Sequence, residues 1–218
     1  MGTLSFLTKE QQIIYSEVAQ NNYIRKNFYF TDGAALSSFY FHHRYSDDLD
    51  FFSETSFDNQ VIFTLMQEWS KKHQFSLQSR FVEVVYIFDL VFPKNIPLKI
   101  DFSYYPYKRI EKGSTIGKVT IDSLFDIGVN KIITVSQRSD VKDFVDLYFI
   151  LQKINTWDLI HGAKIKFRME IEPFLLAADF LKVEDFTFLP RMINSLTLAE
   201  LQSFYRKKAR DLGAELLK

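Results

Sequence analysis

Cysteine is absent from the chain, which excludes disulfides, thiolate metal sites and a cysteine nucleophile. Net charge is absent too, since 27 Lys and Arg balance 27 Asp and Glu, so the molecule as a whole is not a polyanion binder. No apolar run approaches the roughly 20 residues that cross a bilayer, and the N-terminus lacks the basic, apolar and small-residue succession of a secretory signal. These absences predict a cytoplasmic chain with no membrane partner. Internal repeats and low-complexity segments are also missing.

What is present is an ordinary soluble composition, 47% apolar and 25% charged, in a chain of 218 residues, long enough for one large core or two small domains. Phenylalanine (23) and tyrosine (11) are abundant, so a Phe-rich core is expected. The charge is unevenly spread: residues 1–60 hold four Lys/Arg against eight Asp/Glu, whereas 191–218 hold six against three. A nucleic-acid acceptor would therefore lie along the basic C-terminal part; the plain alternative is a solvated helix face.

Thr8 with Gln11 has capping-box spacing and predicts a helix running to about Asn27. Strands are predicted over 28–31, 48–52, 75–81, 84–92 (a buried run) and 97–103, with a helix over 61–73 capped by Ser56 or Asp58. Residues 104–117 read as a loop or boundary. Helices then follow from Ser123, from Ser139 or Asp140, over 157–167, over 171–181 and over 198–217, the last with Thr197 and Glu200 at capping-box spacing. On the helix after Asp140, Phe144, Leu147, Tyr148 and Leu151 form an apolar stripe, and Asp143 and Asp146 share the other face. The fold expected is a mixed α/β sheet flanked by helices over 1–117, followed by a mainly helical part over 118–218.

The organising stretch runs from Thr31-Asp32-Gly33-Ala34-Ala35-Leu36 through Ser46 to Asp48-Leu49-Asp50-Phe51-Phe52. It reads as a strand end, a tight turn at Gly33, a helix over 34–43 and a second strand. Strand alternation puts Asp48 and Asp50 on one face and Leu49 and Phe51 in the core. Two carboxylates so close repel unless a cation neutralises them, and a hard divalent ion suits oxygen ligands. Asp101, on the polar face of the 97–103 strand, supplies a third acid. Three such acids hold two Mg²⁺ (or Mn²⁺) ions, a pair that binds nucleotide phosphates and activates an attacking hydroxyl. The plain reading of an isolated Asp-x-Asp is a pair of solvated strand-end acids. The adjacent His42 and His43 diverge by about 100° on a helix and are not read as metal ligands.

These residues resemble the AbiEii/AbiGii-type nucleotidyltransferases of abortive-infection and toxin-antitoxin systems, within the polymerase-β-like superfamily. Gly33, Ala35, Leu36, His43, Arg44, Ser46 and Asp48 to Phe52 match the first family block. Lys131, Arg138 and Lys142-Asp143-Phe144-Val145-Asp146-Leu147-Tyr148 match the second. Asp32 and Ala34 depart, standing where the family has a glycine and a Thr or Ser. The resemblance implies transfer of a nucleotide from an NTP to RNA, such as a tRNA end, or to protein, by a toxin with a separately encoded antitoxin. It further implies that Asp32, Gly33, Ala34 and Ser46 border the triphosphate, that Lys131 touches its phosphates, that a carboxylate of the second block, Asp143 ahead of Asp146, completes the catalytic acids, and that His43-Arg44 braces the loop before Asp48. Lys131 otherwise reads as a helix-surface lysine. Two rival functions share the Asp-x-Asp: a nucleotide-sugar glycosyltransferase and a non-catalytic nucleotide-binding relative.

Overall fold

The computed structural model describes residues 6–215. The chain forms two compact, interleaved units. One takes in the chain up to Tyr40, Ser46–Lys108 and Lys112–Asp122; the other takes Phe41–Tyr45, Arg109–Glu111 and the chain from Ser123 onward.

The first unit is built on a five-stranded mixed sheet. Helices α1 (Lys9–Gln20) and α2 (Asn22–Asn27) lead in, with the Thr8–Gln11 capping box formed as expected. The single helix predicted to Asn27 is interrupted at Asn21, which is extended and whose side chain caps Ile24 instead. An asparagine offers the backbone a competing partner, so it favours a cap over a helix interior. Strand β1 (Tyr29–Thr31) follows, then the short helix α3 (Asp32–Leu36), a π-turn over Ser37–Phe41 and strand β2 (Asp48–Ser53). The predicted 34–43 helix is thus a five-residue helix that starts at Asp32 and widens into a π-turn.

Helix α4 (Asn59–His73) is capped by Asp58 and buries Ile62, Met66 and Trp69. Strands β3 (Ser76–Val82), β4 (Val85–Phe92) and β5 (Ile96–Tyr104) complete the sheet in the order β1-β2-β5-β4-β3, with only β2 and β5 parallel. Strand β4 is not the buried run that its composition suggested. Phe88, Leu90 and Phe92 are buried while Asp89 between them is only half-buried and Val91 is exposed, so one face alone meets the core. That core is phenylalanine-rich: Phe51 stacks on Phe102, which also meets Phe28 and Phe88 edge-on. The 104–117 stretch is irregular and ends in a small hairpin of β6 (Thr115–Ile116) and β7 (Val119–Thr120), turned by Gly117 at φ +53°.

The second unit is helical: α5 (Leu124–Gln137), α6 (Val141–Ile150), α7 (Thr156–Phe167), α8 (Pro173–Leu181) and α9 (Leu198–Glu215). Ser123 and Asp140 cap α5 and α6, and Thr197 and Glu200 exchange their capping-box bonds before α9. Leu216 and Leu217, the predicted end of that helix, lie outside the described residues. Helices α5 and α7 approach closely at Gly162, where an added Cβ would stand 2.5 Å from Val129 and 2.9 Å from Phe125. Among the described residues no helix is long and apolar enough to cross a membrane.

Candidate active site

Register decides which side chains meet on the sheet. In the parallel β2–β5 ladder Asp48 lies opposite Lys99 and Asp50 opposite Asp101. In the β1–β2 ladder Thr31 lies opposite Asp50. Paired residues share a face, so Asp48, Asp50, Lys99 and Asp101 project together, while Leu49, Phe51, Ile100 and Phe102 fill the core behind them. The expected three acids are therefore side by side. Lys99 falls on that face by strand alternation, two residues before Asp101, but the sequence pattern alone assigned it no role in the site.

The acids repel one another. Burial drives the Asp50 carboxyl well above the usual carboxylate range, and the charges of Asp32, Asp101 and Asp48 push it further, with Lys99 opposing. Asp101 is also raised, by burial first, against the pull of Lys99, whose Nζ lies 2.7 Å from Oδ2. The other oxygen of Asp101, Oδ1, is buried and has no hydrogen-bond partner among the described residues. A bare buried carboxylate oxygen beside acids held above their normal pKa is a donor set suited to a hard divalent cation. The residues present thus fit the ion that the Asp-x-Asp implies.

Asp32 adds a feature that the sequence hinted at. Its φ is +57°, in the left-handed region, where glycine is at ease and aspartate is among the few tolerated substitutes. Gly33 and Ala34, next in α3, are buried. The carbonyl of Ser46 accepts a hydrogen bond from Gln11 Nε2 at 2.8 Å, which ties the approach to β2 onto α1. Because Asp32 raises Asp50 through its charge, Asp32→Asn and Asp32→Gly should both bring the Asp50 pKa down, read from its ¹³C carboxyl titration. An unchanged or higher Asp50 pKa would show that Asp32 directs its charge elsewhere.

The second family block sits in the helical unit and is buried. Lys131 is 3% exposed, with Nζ 2.7 Å from Asp143 Oδ1 and 3.0 Å from Asp146 Oδ2. Asp143 also binds Arg138 Nε at 2.7 Å. Asp146 accepts from Arg44 Nε at 2.6 Å and from its terminal nitrogen at 2.8 Å, and meets His43 Nε2 at 2.8 Å. The surface-lysine reading of Lys131 is therefore replaced by one buried ion network, in which Asp143 and Asp146 share a face as expected and meet the same ammonium. Burial pushes both carboxyls up, but Lys131 with Arg138 outweighs it at Asp143, and Lys131 with Arg44 and His43 outweighs it at Asp146. His43 and Arg44 meet Asp146 across 102 or more residues of chain, a pairing that no local periodicity signals.

The model of the family described as "Nucleotidyl transferase AbiEii toxin, Type IV TA system" matches residues 17–212. The chain belongs to this family. A curated relative, an uncharacterised protein of Aquifex aeolicus (strain VF5), is 32% identical over 158 residues, 70% of each chain. Two solved structures share the fold seen here. One is JHP933 from Helicobacter pylori, with 18% identity, TM-score 0.55 and coverage of 99% of this chain and 96% of that one. The other is the nucleotidyltransferase toxin MenT4 of Mycobacterium tuberculosis, with 13% identity, TM-score 0.54 and coverage of 94% and 85%.

Proposed function

We propose that this AbiEii-family chain is a divalent-metal-dependent nucleotidyltransferase that moves a nucleotide from an NTP to an acceptor hydroxyl, and that it serves as the toxin of a toxin-antitoxin pair. The observation that carries the reading is the joint projection of Asp48, Asp50 and Asp101 from adjacent strands, with Asp101 Oδ1 left bare. Asp48 and Asp50 would hold two Mg²⁺ or Mn²⁺ ions, and Asp101 would share one. Bound there, such ions would neutralise phosphate charge and make the acceptor hydroxyl more acidic.

The chain's own part is positioning and proton handling. The acceptor O–H breaks as its oxygen bonds the α-phosphorus, and the bond from that phosphorus to the bridging oxygen breaks to release pyrophosphate. Asp101, whose carboxyl burial raises above its ordinary range, would take the acceptor proton. The first residues of α3, Asp32, Gly33 and Ala34, with Ser46 beyond them, would border the triphosphate, and the first N–H groups of a helix lack internal partners. Lys131 and Asp143 enter through the network they share. A variant of Lys131 that raises KM for the NTP without lowering kcat would mark a phosphate contact.

RNA is the acceptor class we favour, a tRNA end in particular, with protein as the other; a separately encoded antitoxin is the partner the family name supports. The test is incubation of the protein with Mg²⁺ or Mn²⁺, each α-labelled NTP in turn, and total cellular RNA. Label should pass to RNA with one NTP preferred. Transfer from labelled nucleotide sugars alone would establish the glycosyltransferase reading in its place, and binding without turnover would establish the non-catalytic one.

A further inference from the structure

The charges of Asp32, Asp48 and Asp101 all bear on Asp50, and Lys99 is a cation that opposes them there. It stands on β5 with Asp48 opposite on β2 and Asp89 opposite on β4. Its Nζ is 2.7 Å from Asp101 Oδ2 and 3.6 Å from Asp48 Oδ2. Asp89 is engaged by Arg80 of β3, and Arg80 also acts on Asp101 at longer range. The ammonium thus occupies the ground between the two acids that a shared cation would need.

Two other lysines of the chain pair with buried aspartates and are sealed in. The side chain of Lys131 is 3% exposed, and that of Lys166, 2.7 Å from Asp126, is 0% exposed. Lys99 differs, with 32% of its side chain open to solvent. A four-carbon stem with an open side can swing its charge away without unpacking the core. Its partner Asp101 keeps the bare Oδ1 inside, so the carboxylate that Lys99 holds is only half satisfied.

We propose that Lys99 is a built-in counter-cation of the carboxylate site, displaced when metal enters, and that it selects a metal–nucleotide complex over the free metal ion. This rests on the nucleotidyltransferase reading above. A free divalent ion must evict the ammonium from two carboxylates and then repel it, which holds free-ion affinity down. An ion that arrives with a triphosphate brings anionic oxygens that the evicted ammonium can meet, so the same eviction is offset. Lys99 is on this account a specificity-determining residue.

The test compares Mn²⁺ binding, with and without a non-hydrolysable NTP, by titration calorimetry in the wild type, Lys99→Met, Lys99→Arg and Asp50→Asn. Methionine keeps the length of the stem and removes the charge. Lys99→Met should bind free Mn²⁺ on the order of 10-fold tighter, a modest factor because the ammonium is partly screened by solvent. Its affinity for Mn²⁺ with the nucleotide should stay level or fall, and Lys99→Arg should resemble the wild type. Without metal, Lys99→Met should melt lower than the wild type and gain more from added Mn²⁺. Equal or weaker free Mn²⁺ binding by Lys99→Met, with Asp50→Asn binding none, would overturn the role of Lys99 and leave the metal site standing. Mn²⁺ that binds neither the wild type nor Lys99→Met would overturn both.

Discussion

Asp50→Asn should reduce NTP turnover on the order of 100-fold or more and remove divalent-ion binding, while the metal-free protein melts at a higher temperature than the wild type at neutral pH. The loss of turnover is the scale expected when one electrostatic contact to the reacting group is removed. The gain in stability follows from the sign of the Asp50 shift. Its folded pKa is raised, by burial first and by Asp32, Asp101 and Asp48 after it. A carboxyl raised in this way contributes stability below its unfolded value near 3.8, and that contribution is lost as the pH rises through the folded value. At neutral pH the wild type therefore carries the cost of holding Asp50 buried among like charges, and asparagine removes it with little change in volume. Thermal melts and turnover on the same samples separate lost chemistry from lost fold. Wild-type turnover in this variant would remove the acids from the reaction.

The second large effect is expected in the helical unit. Asp146→Asn should destabilise the protein by about 3–5 kcal/mol, because Asp146 is fully buried and neutralises Arg44 while sharing Lys131, and breaking a buried pair strands its partner's charge. Arg44→Met in the same chain should restore part of the loss, since the stranded guanidinium goes with it. Costs that simply add, read from urea midpoints, would show that the two side chains are not coupled. The pH dependence has the opposite sign to that of Asp50. Asp143 and Asp146 both titrate below their ordinary 3.8, so their contribution is complete above that value and is lost as the pH falls through the folded values. The wild type should lose stability steeply in acid, and Asp146→Asn should lose less.

The sequence carried the elements and the acids better than it carried their neutralisation. Alternation around Leu49, Phe51, Ile100 and Phe102 placed Asp48, Asp50 and Asp101 on one face, because a strand has a period of two. The caps at Thr8, Ser123 and Thr197 were legible because they depend on neighbours a few residues away, whereas those at Asp58 and Asp140 were each one of two candidates, beside Ser56 and Ser139. The partner of Asp146 lies 102 residues back at Arg44, and only the assembled helical unit reveals it. Lys99 follows the same alternation rule, but its place beside Asp48 comes from the β2–β5 register, which only the assembled sheet shows. The break at Asn21 and the π-turn over Ser37–Phe41 escaped because helical spacing continues through both.

The interleaving of the two units has a consequence for how the chain is made. Phe41–Tyr45 leaves the ribosome early but belongs with helices that are synthesised last. The pairing of His43 and Arg44 with Asp146 therefore cannot form until α6 has been made, about two thirds of the way along the chain. Contacts of such long sequence separation slow folding and lengthen the time in which half-made surfaces are open to other chains. A nascent or prematurely terminated product ending near residue 117 would contain every sheet acid yet lack Asp146, so Asp48 and Asp50 would follow a segment deprived of the carboxylate that binds His43 and Arg44.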